Sequence, residues 1–268
     1  MTASHQASKA QPETVALFVS DVHLHESLPR TTAAFLDFLQ HRARHARQLY
    51  LLGDLFEYWA GDDDLDAPYN RQIADALQAV SAAGAQVFWI AGNRDFLVGE
   101  AFAKATGATL LPDPYVTTIA GRKLTLAHGD ALCTDDTSYM AFRAQVRQPQ
   151  WQSDFLAMPL AKRKAIIAGM RDQSRAAQRE KSYEIMDVNA DAVAGLFDAT
   201  GSSLLIHGHT HRPACHRAAQ PAGERLRYVL PDWDCDCVAP RGGWIAITAD
   251  GVVRRVGLDG RELTPPAC

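Results

Sequence analysis

No run of eighteen apolar residues occurs in this 268-residue chain, so no segment reads as a membrane-spanning helix. Charge of one sign is not in excess either. Lys and Arg number 27 against 31 Asp and Glu, a formal net charge of -4. A general nucleic-acid binder needs a basic surface, so no nucleic-acid partner is expected. Cysteine is scarce and scattered, at 133, 215, 235, 237 and 268. Only Cys235 and Cys237 are close, and a C-x-C without a second pair is a weak signal for zinc or for a disulfide framework. Reduced thiols of a cytosolic protein are the expectation. Internal repeats and low-complexity stretches are absent. Residues 1–13 are polar, lack an apolar signal-peptide segment and are expected to form a disordered tail. What is present is ordinary: 47% hydrophobic and 22% charged residues, which excludes a disordered chain or a collagen. The length fits one large domain, or a domain carrying an insertion.

An apolar, β-branched run at Val15–Ser20 and apolar runs at Gln48–Leu52 and Gln86–Ala91 predict buried strands. Between them lie helical patterns, one from Thr31 to about Arg47 with Thr31 or Thr32 as its cap, one from Tyr69 to Ala83 stopping at Gly84. This alternation predicts a layered α/β domain. Tyr115–Ala127 reads as a hairpin turning at Gly121-Arg122, and Ser203–Ile206 as another buried strand. Short strands are expected near 214–217, 226–230, 243–248 and 252–256. From about Tyr139 to Thr200 strand-like runs vanish. Residues 143–181 hold nine Lys or Arg against three acids, mixed with Trp151, Phe155, Leu156, Met158, Ile166, Ile167 and Met170. This stretch reads as a basic, greasy helical insertion.

The chemistry sits where the apolar runs end. The first ends in Asp21-Val22-His23, the second in Gly53-Asp54, the third in Gly92-Asn93-Arg94-Asp95. The hairpin ends in His128-Gly129-Asp130, and the last run in His207-Gly208-His209-Thr210-His211. These ends are expected to converge on one edge of a sheet, where α/β proteins place their sites. Asp21, His23, Asp54, Asn93, His128, His207 and His209 make seven N/O ligands, too many for one tetrahedral ion. They suit two ions sharing a carboxylate, with Mn2+, Fe2+ or Zn2+ as candidates because no thiolate is among them. Glu57, Asp95 and His211 are read as partners that orient ligands, and Asp62-Asp63-Asp64 as a solvated acidic loop.

In these motifs the chain resembles the calcineurin-like metallophosphoesterases, whose pattern is D-x-H, G-D, G-N-H-[DE], H and G-H-x-H in order, and fills it with one departure. Arg94 stands where most members carry histidine. That arginine, with Gly53-Asp54-Leu55-Phe56-Glu57, His128-Gly129-Asp130 and Asp135-Asp136, resembles the branch of UDP-2,3-diacylglucosamine pyrophosphatases of lipid A synthesis. The resemblance runs from about Val15 to Pro213 and fades beyond Arg217. It implies a four-layer α-β-β-α sandwich, with core segments 14–138 and 201–268 and a helical cap, 139–200, over the active site. It implies two Mn2+ per chain, one held by Asp21, His23, Asp54 and His209, the other by Asp54, Asn93, His128 and His207. A hydroxide activated by both ions would cleave the pyrophosphate bond to give UMP and lipid X. Asp54, Asn93, Arg94 and His128 would serve catalysis, and Asn93, Arg94, Asp136, Ser174, Gln178, Lys181 and His207 would contact substrate. The implied location is cytoplasmic, peripheral on an anionic inner-membrane surface, with no obligate protein partner.

Arg94 carries a physical argument of its own. Its pKa above 12 prevents it from protonating a leaving alkoxide. An enzyme without that acid needs a leaving group already stable as an anion, such as a sugar 1-phosphate. The insertion fits an acylated substrate: apolar side chains for acyl chains, and Lys162, Arg163 and Lys164 for an anionic surface. Two other classes compete with a lipid pyrophosphatase: a phosphoesterase of soluble nucleotides, and a non-catalytic scaffold on the same fold.

Overall fold

The computed structural model describes residues 13–180, 187–220 and 223–263, and of 172–180 and 220 the backbone alone. The expected tail, but for Glu13, lies outside them. Strands β1 (Thr14–Val19), β2 (Gln48–Leu52), β3 (Gln86–Ile90) and β4 (Ala108–Leu111) run parallel and in sequence order. Helices α1 (Pro29–His41), α2 (Pro68–Ala82) and α3 (Glu100–Thr106) connect them. A second sheet holds the hairpin β5 (Tyr115–Ile119) and β6 (Arg122–Leu126), then β7 (Leu204–His207), β9 (Gly223–Val229) and β8 (Cys215–Gln220) at its far edge. The last strands, β10 (Gly243–Thr248) and β11 (Val253–Gly257), return to the first sheet, β10 antiparallel against β1.

Strand alternation builds the layers. In β1, Leu17 and Val19 face the helices, while Ala16 and Phe18 face the second sheet. In β2, Leu49 and Leu51 divide from Tyr50 and Leu52 in the same way. Phe18, Tyr50 and Phe88 stand in register and stack, at 5.1 and 4.7 Å between ring centroids. Leu124, Leu126, Leu204 and Ile206 close that core from the other sheet. Outside it, helix α7 (Ala190–Thr200) packs Phe197 on Leu205, completing α-β-β-α.

The insertion forms α4 (Thr137–Val146), α5 (Pro149–Leu156) and α6 (Leu160–Glu180). Its apolar residues divide. Phe155 is buried, stacked on Trp151 at 4.9 Å, and Met158, Ile166 and Ile167 pack on the helix-side core. Phe142, Leu156 and Met170 stay exposed. The acidic loop is not merely solvated. Asp62 accepts from Trp59 Nε1 and from the amides of Gly99 and Phe102 at the start of α3. Asp63 pairs with Arg163, which is buried and also reaches the Ala60 carbonyl. Asp64 pairs with Lys164 at 2.7 Å. Two of the three cations expected to face a membrane are therefore anchors of the insertion, because a buried guanidinium must be satisfied within the protein. Lys162 is exposed.

Two further expectations are corrected, on the α1 cap and on the cysteines. Thr31 and Thr32 lie inside α1, and its amides at Arg30 and Thr31 are capped by Asp236 from a distant loop, at 3.1 and 2.9 Å. Beyond Arg217, where the resemblance fades, the expected strands form, and Trp233 is buried edge-on against Phe35 and Phe38. Cys235 and Cys237 are reduced thiols as expected, but Cys215 is disulfide-bonded.

Candidate metal centre

The chemical residues follow the C-terminal ends of five strands, but not on one edge of one sheet. Asp21 and His23 follow β1, Asp54 follows β2, and Asn93 and Arg94 follow β3. His128 follows β6, and His209 and His211 follow β7 in the second sheet. Packing the sheets face to face brings both rims together. The rims are tied by backbone: Asp21 N donates to Gly53 O, His23 N to Asp54 O and Gly208 N to His128 O. No side chain fits at Gly53, where a Cβ would stand 2.5 Å from Gly92 Cα and 2.6 Å from His128 Nδ1, at φ +83°. Asp21, His23, Asp54, His209 and His211 all have positive φ, between 52° and 68°. Each such residue costs on the order of 1–3 kcal/mol, and their clustering marks a functional site.

Two sets of ligand atoms result. Asp21, His23 and His211 form one. The Nε2 atoms of His23 and His211 are 3.1 Å apart, and Asp21 Oδ1 stands 3.5 and 4.0 Å from His211 and His23. Neighbouring ligands on a cation with bonds of about 2.1 Å stand about 3 Å apart, so this spacing fits one. Asp21 Oδ1 is buried and accepts no hydrogen bond, an orphan that a cation would satisfy. Asp21, Asp54 and His128 form the other. His128 Nδ1 donates to the Leu52 carbonyl at 2.9 Å, which turns Nε2 toward Asp54 Oδ1 at 3.6 Å and Asn93 Oδ1 at 2.9 Å. His209 Nδ1 meets the same Asn93 oxygen at 2.9 Å.

The electrostatics agree. Burial works against a charged His128, but the carboxylates of Asp54, Asp21 and Asp130 outweigh it and hold the ring up at about 9. The pull that keeps a proton there is the pull that attracts a cation. Burial would raise Asp21, but the contact and charge of His211, then of His128 and His23, hold its carboxyl far below the usual range. Burial raises Asp54, in spite of His128. Burial, then Arg94, keeps His23 neutral, and burial, then His128, lowers His209 to about 4, so both present lone pairs.

His207 does not join either set. In β7 it shares a face with Leu205, away from Leu204 and Ile206. Its Nδ1 meets Gly208 O at 2.9 Å and its Nε2 faces the Arg227 guanidinium at 3.1 Å, so neither nitrogen is left for a ligand or a substrate. Burial, then Arg227, lowers it to about 3. His211, read from the sequence as an orienting partner, instead stands with Asp21 and His23, and its Nδ1 is 3.7 Å from Asp232. The sequence signal was present in Gly208-His209-x-His211, where both histidines follow the glycine; Asp232 had none.

The surrounding groups hold this arrangement. Asp95, raised to about 7 by burial and then by Asp54, accepts from the amides of Leu55 and Gly92 beside the ligands. Glu57 lies 3.4 Å from His23 Nδ1 and 3.0 Å from Arg94 Nη1. Arg94 Nε is also 3.5 Å from Asp54. Asp136 caps α4, accepting from Tyr139 N, while Tyr139 Oη and Arg143 both donate to buried Asp130. Ser174 and Gln178 lie on α6 where the backbone alone is described, and Lys181 lies outside the described residues.

The calcineurin-like phosphoesterase family matches residues 15–213. A UDP-2,3-diacylglucosamine hydrolase from Aromatoleum aromaticum is 50% identical over 229 residues, which is 85% of this chain and 92% of that one. One from Cellvibrio japonicus is 49% identical over 81% of this chain and 90% of its own. One from Escherichia coli is 48% identical over 88% of this chain and 96% of its own.

Proposed function

The chain belongs to the calcineurin-like phosphoesterases, among the UDP-2,3-diacylglucosamine hydrolases, and from that premise we infer its reaction. It hydrolyses the diphosphate bond of UDP-2,3-diacylglucosamine, giving UMP and 2,3-diacylglucosamine 1-phosphate in lipid A biosynthesis. Near-half identity to enzymes of that name over more than four-fifths of the chain carries this reading.

For the site, Asp21, His23, Asp54 and His211 are proposed to hold one divalent cation, and Asp54, Asn93, His128 and His209 a second, with Mn2+ as the ion. Cations there would polarise the phosphoryl group and activate water. The residues' own work is distinct. His128 and His209 are set by the Leu52 carbonyl and Asn93. Arg94 is a permanent cation beside Asp54 and grips a phosphate with two prongs. Having no proton to give, it suits a leaving group that departs as a phosphate. Asn93, Asp136, Ser174, Gln178 and Lys181 are proposed to contact the sugar phosphate.

Of the residues 139–200 expected as a cap, α7 belongs to the core layer, and helices α4 to α6 are proposed as the cap that receives the acyl chains. Phe142, Leu156 and Met170, exposed in this insertion, support that reading, and with Lys162 they support peripheral attachment to the cytoplasmic face of the inner membrane. No helix among the described residues is long and apolar enough to cross a membrane. The test is kcat/KM of the Mn2+-loaded protein on UDP-2,3-diacylglucosamine and on UDP-N-acetylglucosamine, followed by UMP release. Strong preference for the acylated substrate is expected; equal values would assign the protein to soluble nucleotides.

A further inference from the structure

The outer face of the second sheet is covered unevenly. Helix α7 packs Phe197 on Leu205 of β7, while β8 at the far edge stays exposed. Between α7 and the β8–β9 hairpin lies a cavity of about 250 Å3. Val188, Val193, Ala194 and Phe197 give it an apolar wall, and Arg225 and Arg227 line it from β9. Strand parity puts both arginines there, since the alternate residues, Leu226 and Tyr228, face the core between the sheets. The two differ in their partners. Arg225 pairs with Asp198 and lies over the Phe197 ring, 5.3 Å from its centroid. Among the described residues no carboxylate pairs with Arg227. Its Nη1 donates to the neutral His207 ring at 3.1 Å, and Asp187 acts on it only at a distance. Asp187 is itself bound to Arg212 Nη1 at 2.6 Å and to the Val188 amide at 2.7 Å. A half-buried guanidinium without a counter-ion is costly, and burial pushes its pKa down.

We propose that this cavity is a second binding site, for a single-chain anionic amphiphile whose phosphate or carboxylate head pairs with Arg227 and whose chain lies on Val188, Val193, Ala194 and Phe197. The guanidinium presents a fork of N–H donors that matches either oxyanion. An inorganic anion would satisfy the charge and leave the apolar wall wet, whereas a chain covers it. A diacylated nucleotide sugar is excluded by size, because sites for drug-sized ligands measure about 300–1,000 Å3 and this cavity is smaller. None of the lining residues is among those proposed to hold metal or substrate, so the site stands apart from the hydrolase reading.

The test is amide hydrogen exchange, read peptide by peptide, on the Mn2+-loaded protein with octyl phosphate, octanoate, octanol or inorganic phosphate, each at about 1 mM. Octyl phosphate, octanoate or both should slow exchange in α7 and β9 by about threefold or more, the protection that a ligand of the closed state gives at twice its Kd. The stronger of the two identifies the head group. Octanol and inorganic phosphate should each give less than about 1.5-fold. Exchange in α4 to α6 reports the metal-centre side separately. Arg227→Gln should abolish the protection, and Arg227→Lys should keep only part of it, because a point charge lacks the fork. Ala194→Phe fills the groove, keeps the guanidinium and should also abolish the protection, which decides the matter if Arg227→Gln does not fold. Protection unchanged in either variant, matched by octanol or inorganic phosphate, or absent with both amphiphiles overturns the site.

Discussion

The imidazoles of His23 and His211 face each other at 3.1 Å through their Nε2 atoms, across the joint between the two sheets. The chain separates them by 188 positions, and each has a carboxylate behind its other nitrogen, Glu57 for His23 and Asp232 for His211. Each carboxylate faces the ring nitrogen turned away from the other imidazole and draws positive charge toward this joint. His211→Gln should therefore lower the Mn2+ content and reduce kcat by about a hundredfold or more, while His207→Gln, which loses only its contacts to Arg227 and Gly208, should stay within about tenfold of the native enzyme. Metal analysis of the purified variants, read beside kcat, checks this. Equal losses at both positions would restore His207 as a ligand.

Arg94 makes a prediction about leaving groups. Arg94→Ala should lower kcat/KM by at least about a hundredfold, and Arg94→Lys should not fully restore it. The native enzyme should be poor on a dialkyl phosphodiester, whose alkoxide departs only with an acid that arginine cannot supply. Comparable rates on that diester and on the diphosphate would sink the argument.

The insertion's apolar residues should separate into two kinds by experiment. Phe155 is 4% exposed and stacked on Trp151, so Phe155→Ala should cost about 3–5 kcal/mol of stability. Leu156, its neighbour, is 40% exposed, so Leu156→Ser should leave the unfolding temperature nearly unchanged. It should instead raise KM for the diacylated substrate several-fold and leave UDP-N-acetylglucosamine turnover alone, since each CH2 buried against it contributes about 0.8 kcal/mol. Thermal unfolding and paired kinetics distinguish the two. An unchanged KM for Leu156→Ser would remove that residue from the acyl chamber.

Asp236 gives a pH signature far from the metal centre. Burial opposes its charge, but the amides of Thr31 and Arg30, the Thr31 hydroxyl and the Arg30 charge hold its carboxyl below the usual range. A lowered folded-state pKa gives stability that is full above the unfolded value near 3.9 and is lost as pH falls through the folded value. Asp236→Asn should lower Tm at pH 7, and the gap from the native protein should narrow below about pH 4. A gap that stays constant down to pH 3 would mean that the charge is not what caps α1.

Much of the architecture was legible in the chain because its causes are local. The alternation in Val15–Ser20 and Gln48–Leu52 fixes which side chains face which layer, and β1 and β2 form within a residue of those limits. Helix α3 and strand β4 escaped notice, being seven and four residues long with little periodicity. Asp21, His23, Asp54, Asn93, His128 and His209 could be singled out because each is a ligand type next to a tight turn after an apolar run.

By itself the sequence determined the alternation of strands and helices, the strand-end chemistry and, through Arg94, the preference for a leaving group that departs as an anion. Only the tertiary structure decided which histidines meet. Strand parity sends His207 outward to Arg227, and the positive-φ turn after it aims His211 at His23. It also decided the partners of the charges. Asp63 and Asp64 meet Arg163 and Lys164 across about a hundred residues, and Glu57 meets Arg171 across 114. Periodicity reports which face of an element is buried, but a side chain's partner depends on where the other elements dock, and that is set by packing of the whole core.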